Sequence, residues 1–124
     1  MNVHGIDATY YTVRDIEAQT KFYTELLGAP PENSWPGRLS EWAFADGNAF
    51  GLYQVEGADG GTVGGHSGSV MFAVDDVART VADARSRGVT FLDDGGVTET
   101  PVCEMAFGED PEGNQFILHH RKPA

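Results

Sequence analysis

Glu41-Trp42-Ala43-Phe44, followed by Gly47-Asn48-Ala49-Phe50-Gly51-Leu52, returns later as Glu104-Met105-Ala106-Phe107, then Gly113-Asn114-Gln115-Phe116-Ile117-Leu118. Upstream, Val13-Arg14-Asp15-Ile16 returns as Val74-Asp75-Asp76-Val77. The offset runs from 61 (74 − 13) through 63 (104 − 41) to 66 (113 − 47), so the copies differ by small loop changes. A period of this length exceeds the 20–50 residues of a solenoid unit. Two copies of one supersecondary unit therefore form one pseudo-symmetric domain, with its ligand site expected between the halves.

Each copy reads as strand–helix–strand–strand–strand. Thr9 to Val13, rich in β-branched and aromatic residues, reads as a strand. Asp15 caps a helix running to about Leu27, with Ile16, Phe22, Tyr23, Leu26 and Leu27 on its apolar stripe. Gly28 ends it, and Pro30-Pro31 forbid continuation. Ser34 to Ser40 reads as a loop carrying Trp35; the strands Glu41–Ala45 and Ala49–Val55 follow, joined at Asp46-Gly47-Asn48. In the second copy, Ser69–Val74 is a strand. Asp75 or Asp76 caps a helix to Arg87 with Val77, Val81 and Ala84 inward, and Gly88 stops it. Strands are expected at Val89–Leu92, Pro101–Phe107 and Gln115–His120. The fold class is thus α+β, one domain over 1–124, with module 1 at 6–56, a Gly-rich connector at 57–68 and module 2 at 69–121.

A hydrophobic share of 40% and a charged share of 22% are those of a soluble globular domain. No apolar run reaches membrane-spanning length, and the first residues lack the build of a signal peptide, so a cytoplasmic protein is expected. Eight Lys+Arg against 19 Asp+Glu give a net charge of −11, which excludes the basic footprint that nucleic acid or an anionic membrane requires. The single Cys103 has no disulfide partner and reads as a buried structural thiol.

Val13-Arg14-Asp15-Ile16 with Phe22-Tyr23 and Leu26-Leu27-Gly28, together with Asp110-Pro111-Glu112-Gly113-Asn114 before the last strand, resembles the vicinal oxygen chelate superfamily. That superfamily includes glyoxalase I, extradiol dioxygenases, and fosfomycin- and bleomycin-resistance proteins. The resemblance implies two tandem βαβββ modules, related by a pseudo-twofold axis, whose sheets enclose a cavity. It also implies where metal ligands stand in the metal-dependent members: here Ala8 and Ser69 on the first strands, Gly51 and Ile117 on the last. None of these four offers an imidazole, carboxylate or thiolate, so no metal and no cofactor are expected.

Residues two apart on a strand share a face, which names what surrounds those positions. Ala8 brings Tyr10 and Thr12; Gly51 brings Tyr53; Ser69 brings Met71; Ile117 brings His119. With Trp35 at the mouth, Tyr10, Thr12, Trp35, Tyr53, Ser69, Met71, Ile117 and His119 are the ligand-binding candidates. Glu41 and Glu104 are repeat-related; if Trp42, Phe44, Met105 and Phe107 face the helices, both carboxylates face the cavity. Glu41, Glu104 and His119 are therefore the catalytic candidates. His4 and His66 would serve as ligands only after a strand slip, which swaps faces.

The expected function is metal-independent binding of a small hydrophobic or aromatic organic molecule between the modules, by a homodimer, as in the sequestering resistance proteins. The alternative is a glyoxalase-like lyase, isomerase or dioxygenase-related enzyme that uses Glu, His or Tyr acid–base groups or a displaced metal site. A purely structural module would show a filled interior.

Overall fold

A computed structural model describes residue 2, residues 6–54 and residues 69–123. The connector, His4 and His66 lie outside the described residues. Module 1 runs β1 (Ala8–Val13), α1 (Ile16–Leu27), β2 (Asn33–Trp35), β3 (Leu39–Ala43) and β4 (Ala49–Gln54). Module 2 runs β5 (Ser69–Ala73), α2 (Val77–Ser86), β6 (Thr98–Glu99), β7 (Cys103–Glu109) and β8 (Gln115–Arg121). Each builds a four-stranded sheet of the same topology, β1-β4-β3-β2 and β5-β8-β7-β6, with the first pair of each parallel and the rest antiparallel.

The helices begin where the caps require. Asp15 accepts the Ala18 N–H at 3.1 Å and Asp76 the Arg79 N–H at 3.1 Å, each satisfying a donor that the first turn leaves free. Gly28 ends α1 at φ 79°, a left-handed conformation that costs glycine little. Ile16, Tyr23 and Leu26 of α1 and Val77, Val81 and Ala84 of α2 are buried. They pack with Tyr11, Val13, Trp42, Phe50 and Leu52 of one sheet and Phe72, Ala106, Phe116 and Leu118 of the other, in one core shared by both modules. Full burial of each large apolar side chain contributes about 1.5–3 kcal/mol. Phe50 against Phe72, at 5.1 Å between ring centroids, and Phe22 against Phe116, at 5.9 Å, join the halves.

Three sequence expectations need correction. The loop expected over Ser34–Ser40 carries β2, because Asn33, Ser34 and Trp35 pair with Glu41, Ser40 and Leu39 at the sheet edge. The strand expected at Val89–Leu92 is reduced to a single bridge, Phe91 to Gly108, after which Leu92–Gly95 forms a 3-10 turn. The edge strand falls instead at Thr98–Glu99. Short polar edge strands carry little apolar periodicity, so their pairing is decided by the neighbouring strand.

The third correction concerns the repeat itself. Ala43 pairs with Ala49, and Glu109 with Gln115, so each hairpin closes over a loop of equal length, 44–48 and 110–114. The loops share their closing bonds: Phe44 N–H to Asn48 O at 2.9 Å and Gly47 N–H to Phe44 O at 3.0 Å, matched by Asp110 to Asn114 and Gly113 to Asp110, both at 2.9 Å. Hairpin geometry therefore holds the offset at 66 through β3 and β7. The counterpart of Glu41 is Phe107 (107 − 41 = 66), and the likeness of Glu41-Trp42-Ala43-Phe44 to Glu104-Met105-Ala106-Phe107 is out of register.

A candidate cleft at one end of a pseudo-symmetric core

The outward face of the first sheet carries Ala8, Tyr10 and Thr12 beside Ala49, Gly51 and Tyr53, as strand alternation predicts. Tyr10 is 40% exposed, while Tyr11 on the other face is 5% exposed. The Tyr10 ring lies over Gly51, where any added Cβ would collide with it. Its hydroxyl donates to Glu41 Oε2, and Asn33 Nδ2 donates to Glu41 Oε1 at 3.2 Å. The bond to Glu41, partial burial and the Glu41 charge push the Tyr10 phenol up to about 12. Tyr53 is half-buried and accepts from Arg38 Nη1 at 3.4 Å.

The outward face of the second sheet differs. Met71 neighbours Ile117, which pairs with Phe107; Ala73 neighbours His119, which pairs with Met105. Glu104 pairs with His120 and takes the helix-side parity of Ala106 and Leu118, so the two glutamates do not share a cavity. Met105 and Phe107 face outward, opposite to the arrangement that would have brought both carboxylates together. His120 accordingly has a structural partner, the Val74 carbonyl at 3.0 Å from Nδ1.

Among the described residues, a cleft of about 610 Å³ is lined from both modules: Ile6, Ala8, Phe44 and Ala49 on one side, Val70 to Val74 and Thr80 on the other. Pseudo-symmetry explains its existence. At the opposite end of the core the corresponding space is plugged. There Asp110, 5% exposed, accepts Gln19 Nε2 at 2.6 Å, Tyr23 Oη at 2.8 Å and Asn114 Nδ2 at 3.0 Å on Oδ2. Its Oδ1 accepts the Glu112 and Asn114 N–H groups, both at 2.9 Å. Tyr11 completes the plug: its hydroxyl accepts from Val70 N–H at 2.9 Å and donates to the Gln115 carbonyl.

Each plug residue has a repeat-related counterpart, through offsets of 61 in β1 and α1 and 66 in the loop, and of these Phe44, Phe72 and Thr80 line the cleft while Ala84 is fully buried. Gln19 becomes Thr80, Tyr23 becomes Ala84, Tyr11 becomes Phe72 and Asp110 becomes Phe44. The shorter Thr80 in place of Gln19 and the loss of the carboxylate–donor network leave the space open. Burial pushes the Tyr11 phenol up to about 12, opposed by the Val70 N–H and reinforced by the Asp110 charge. Tyr23 is raised further, first by burial and then by Asp110.

A family model described as Glyoxalase/Bleomycin resistance protein/Dioxygenase superfamily matches residues 5–118. The chain belongs to this superfamily. It is 31% identical over 121 residues to a probable chloroplastic lactoylglutathione lyase of Arabidopsis thaliana, covering 91% of the chain but only 35% of that relative's length. Its fold matches a glyoxalase/bleomycin resistance protein of Catenulispora acidiphila at a TM-score of 0.76, with 18% identity, over 96% of this chain and 100% of that one. A lactoylglutathione lyase of Agrobacterium tumefaciens matches at 0.75 with 17% identity, over 97% and 96%.

The metal of the superfamily's metal-dependent members does not fit the residues standing here. Ala8 and Gly51 have no donor atom, Ile117 is an apolar side chain only 7% exposed, and Ser69 offers a lone neutral hydroxyl. The Tyr10 ring also fills the space through which a side chain at position 51 would have to reach.

Of the eight binding candidates, the structure brings Met71, 50% exposed, into the cleft. Tyr10, Thr12 and Tyr53 lie further along the outward face of the first sheet, and Ser69 begins β5. His119 lines a separate depression with Ala73, Asp75 and Arg121. Trp35, 66% exposed under the Arg38 guanidinium at 5.9 Å, borders a groove between α1 and the β2–β3 turn, away from the cleft. Sequence reasoning missed Phe44, Asp46, Thr80 and the helix-side residues of β5 as lining. One signal was available: Gln19 interrupts the apolar stripe between Ile16 and Tyr23, and a polar residue there demands a buried partner.

Proposed function

We propose that this protein binds a small hydrophobic or aromatic organic molecule without a metal, in the cleft between the two modules. The observation that carries this reading is the cleft's lining: Ile6, Ala8, Leu26, Phe44, Phe50, Val70, Met71 and Phe72 are apolar, with a few polar groups at the rim. Exposed apolar side chains outside the cleft support a homodimer: Val102 at 68%, Trp35 at 66% and Tyr10 at 40% exposed are side chains that a second copy would remove from water. A thermal-shift screen of small molecules, run with and without divalent metals, tests the reading. Apolar ligands should raise the melting temperature equally in both arms, and hits confined to the metal arm would refute metal independence. Sedimentation analysis should find a dimer.

The alternative is an acid–base enzyme, favoured by the Tyr10–Glu41 pair and by the likeness to the plant protein. Glutathione conjugates carry carboxylates, however, and among the described residues no Lys, Arg or His lines the cleft. If a substrate is found, Glu41→Gln should lower its turnover by roughly 10²–10⁴ with binding intact under the enzyme reading. A pure binder has no such turnover to lose.

A further inference from the structure

The outward faces of the two sheets diverge at one repeat-related pair. In β1, Tyr10 pairs with Gly51 of β4, and its ring lies over that glycine, where any added Cβ would collide with it. In β5 the counterpart of Tyr10 is Met71 (71 − 10 = 61), which pairs with Ile117, the counterpart of Gly51 (117 − 51 = 66). Ile117 fills the surface that Gly51 leaves free and is itself only 7% exposed. Met71 has no such seat to fold down into. It stands 50% exposed and lines the cleft.

A thioether is oxidised where an oxidant can reach it, so exposure sets the order of reaction. Cys103 is 8% exposed, with its Sγ 3.2 Å from the Thr100 hydroxyl, and Met105 is half-buried. Met71 is therefore the most accessible sulfur among the described residues. Hydrogen peroxide transfers one oxygen atom to it: the O–O bond breaks, an S–O bond forms, the sulfur gives up two electrons and the peroxide leaves as water. The product is polar, and it stands in a wall shared with Ile6, Ala8, Phe44, Val70 and Phe72.

We infer that Met71 is an oxidative modification site, whose conversion to the sulfoxide weakens apolar ligands in the cleft. The oxidation stands on exposure alone; its effect on binding rests on the proposed function. An apolar ligand seated against the sulfoxide takes a strong hydrogen-bond acceptor out of water without meeting it, and that costs affinity. Methionine sulfoxide reductases return the sulfoxide to the thioether, so the change is reversible.

The test treats the full chain with graded hydrogen peroxide, maps oxygen incorporation by peptide mass analysis, and titrates N-phenyl-1-naphthylamine, a neutral fluorescent probe. Met71 should gain oxygen at least about fivefold faster than Met105. Probe affinity should fall at least about tenfold in step with Met71 oxidation, and methionine sulfoxide reductase should restore it. Met71→Leu keeps the wall apolar, and peroxide should leave that variant's own probe affinity where it started. Oxidation of Met105 before Met71, or at the same rate, overturns the site. Full oxidation of Met71 with unchanged affinity, or a loss that persists in Met71→Leu, overturns its effect on the cleft while leaving apolar binding standing. An untreated chain that fails to bind the probe counts against the proposed function, and the binding effect falls with it; the oxidation site is still decided by the mass analysis.

Discussion

The two ends of the core share backbone, topology and loop closure, yet one is filled and the other is open. At the filled end, Asp110 gathers donors from α1 and from its own loop, and Glu112 caps the start of α1. At the open end, Phe44 stands in place of Asp110, and Asp46 turns back on Asn48. A buried carboxylate is tolerated only when its lone pairs are met, and the filled end meets them with Gln19 and Tyr23 beside Asn114, whose counterpart Asn48 the open end also carries. Without the carboxylate, the open end has no need of large polar partners, and a cleft remains there. One end is closed by a hydrogen-bonded network; the other stays open.

The largest effect should come from breaking the filled end. Asp110→Ala strands the Gln19, Tyr23 and Asn114 donors in the core and should cost about 3–5 kcal/mol, read from urea denaturation. A loss below about 1 kcal/mol would show that the network is dispensable and the two ends are alike. Gly51→Ala forces the Tyr10 ring aside and should cost about 1–3 kcal/mol. In a Tyr10→Ala background the same change should cost much less, and an unchanged penalty would place the strain elsewhere.

Filling the open end with Thr80→Phe should weaken apolar ligands about tenfold, the scale of one lost contact of about 1.4 kcal/mol, with little change in stability. Undiminished binding would move the site out of the cleft. The ends also differ in alkaline response. Tyr11 and Tyr23 hold their protons more tightly in the fold than at the ordinary value of 10.0, so the unfolded chain releases them first. Their contribution is fully present below pH 10 and falls as pH rises toward 12. Urea midpoints between pH 8 and 12 should therefore decline, less steeply in Tyr11→Phe. Removing Phe72, the Tyr11 counterpart, with Phe72→Leu should leave the slope unchanged. The smallest effect belongs to Asp46→Ala, which should change stability by no more than about 0.5 kcal/mol because its carboxylate is exposed and, among the described residues, bonds within its own loop.

Much of the fold was legible because its signals are local. Asp15 and Asp76 announce helix starts, Gly28 an end, and alternation separates Tyr10 from Tyr11 and Phe50 from Gly51. The edge strands β2 and β6 were not legible, since Asn33-Ser34-Trp35 and Thr98-Glu99 acquire strand geometry from the strand beside them. The site was read from half the needed information. Parity placed Tyr10, Gly51 and Glu41 on one face, but the likeness between Glu41-Trp42-Ala43-Phe44 and Glu104-Met105-Ala106-Phe107 sent Glu104 to the wrong one. A three-residue shift cannot be absorbed between hairpins of equal length, and only the pairing of Phe107 with Ile117 reveals that.

By itself the sequence determined the duplicated βαβββ plan, the helix caps and the face each strand presents. These follow from residue type and spacing within a single element. The tertiary structure alone decided which space between the modules stays empty. That depends on Asp110 meeting Gln19 and Tyr23 from 91 and 87 residues away, and on Thr80 being too short to do the same at the other end, a difference of volume and hydrogen bonding that exists only once the two halves are packed together.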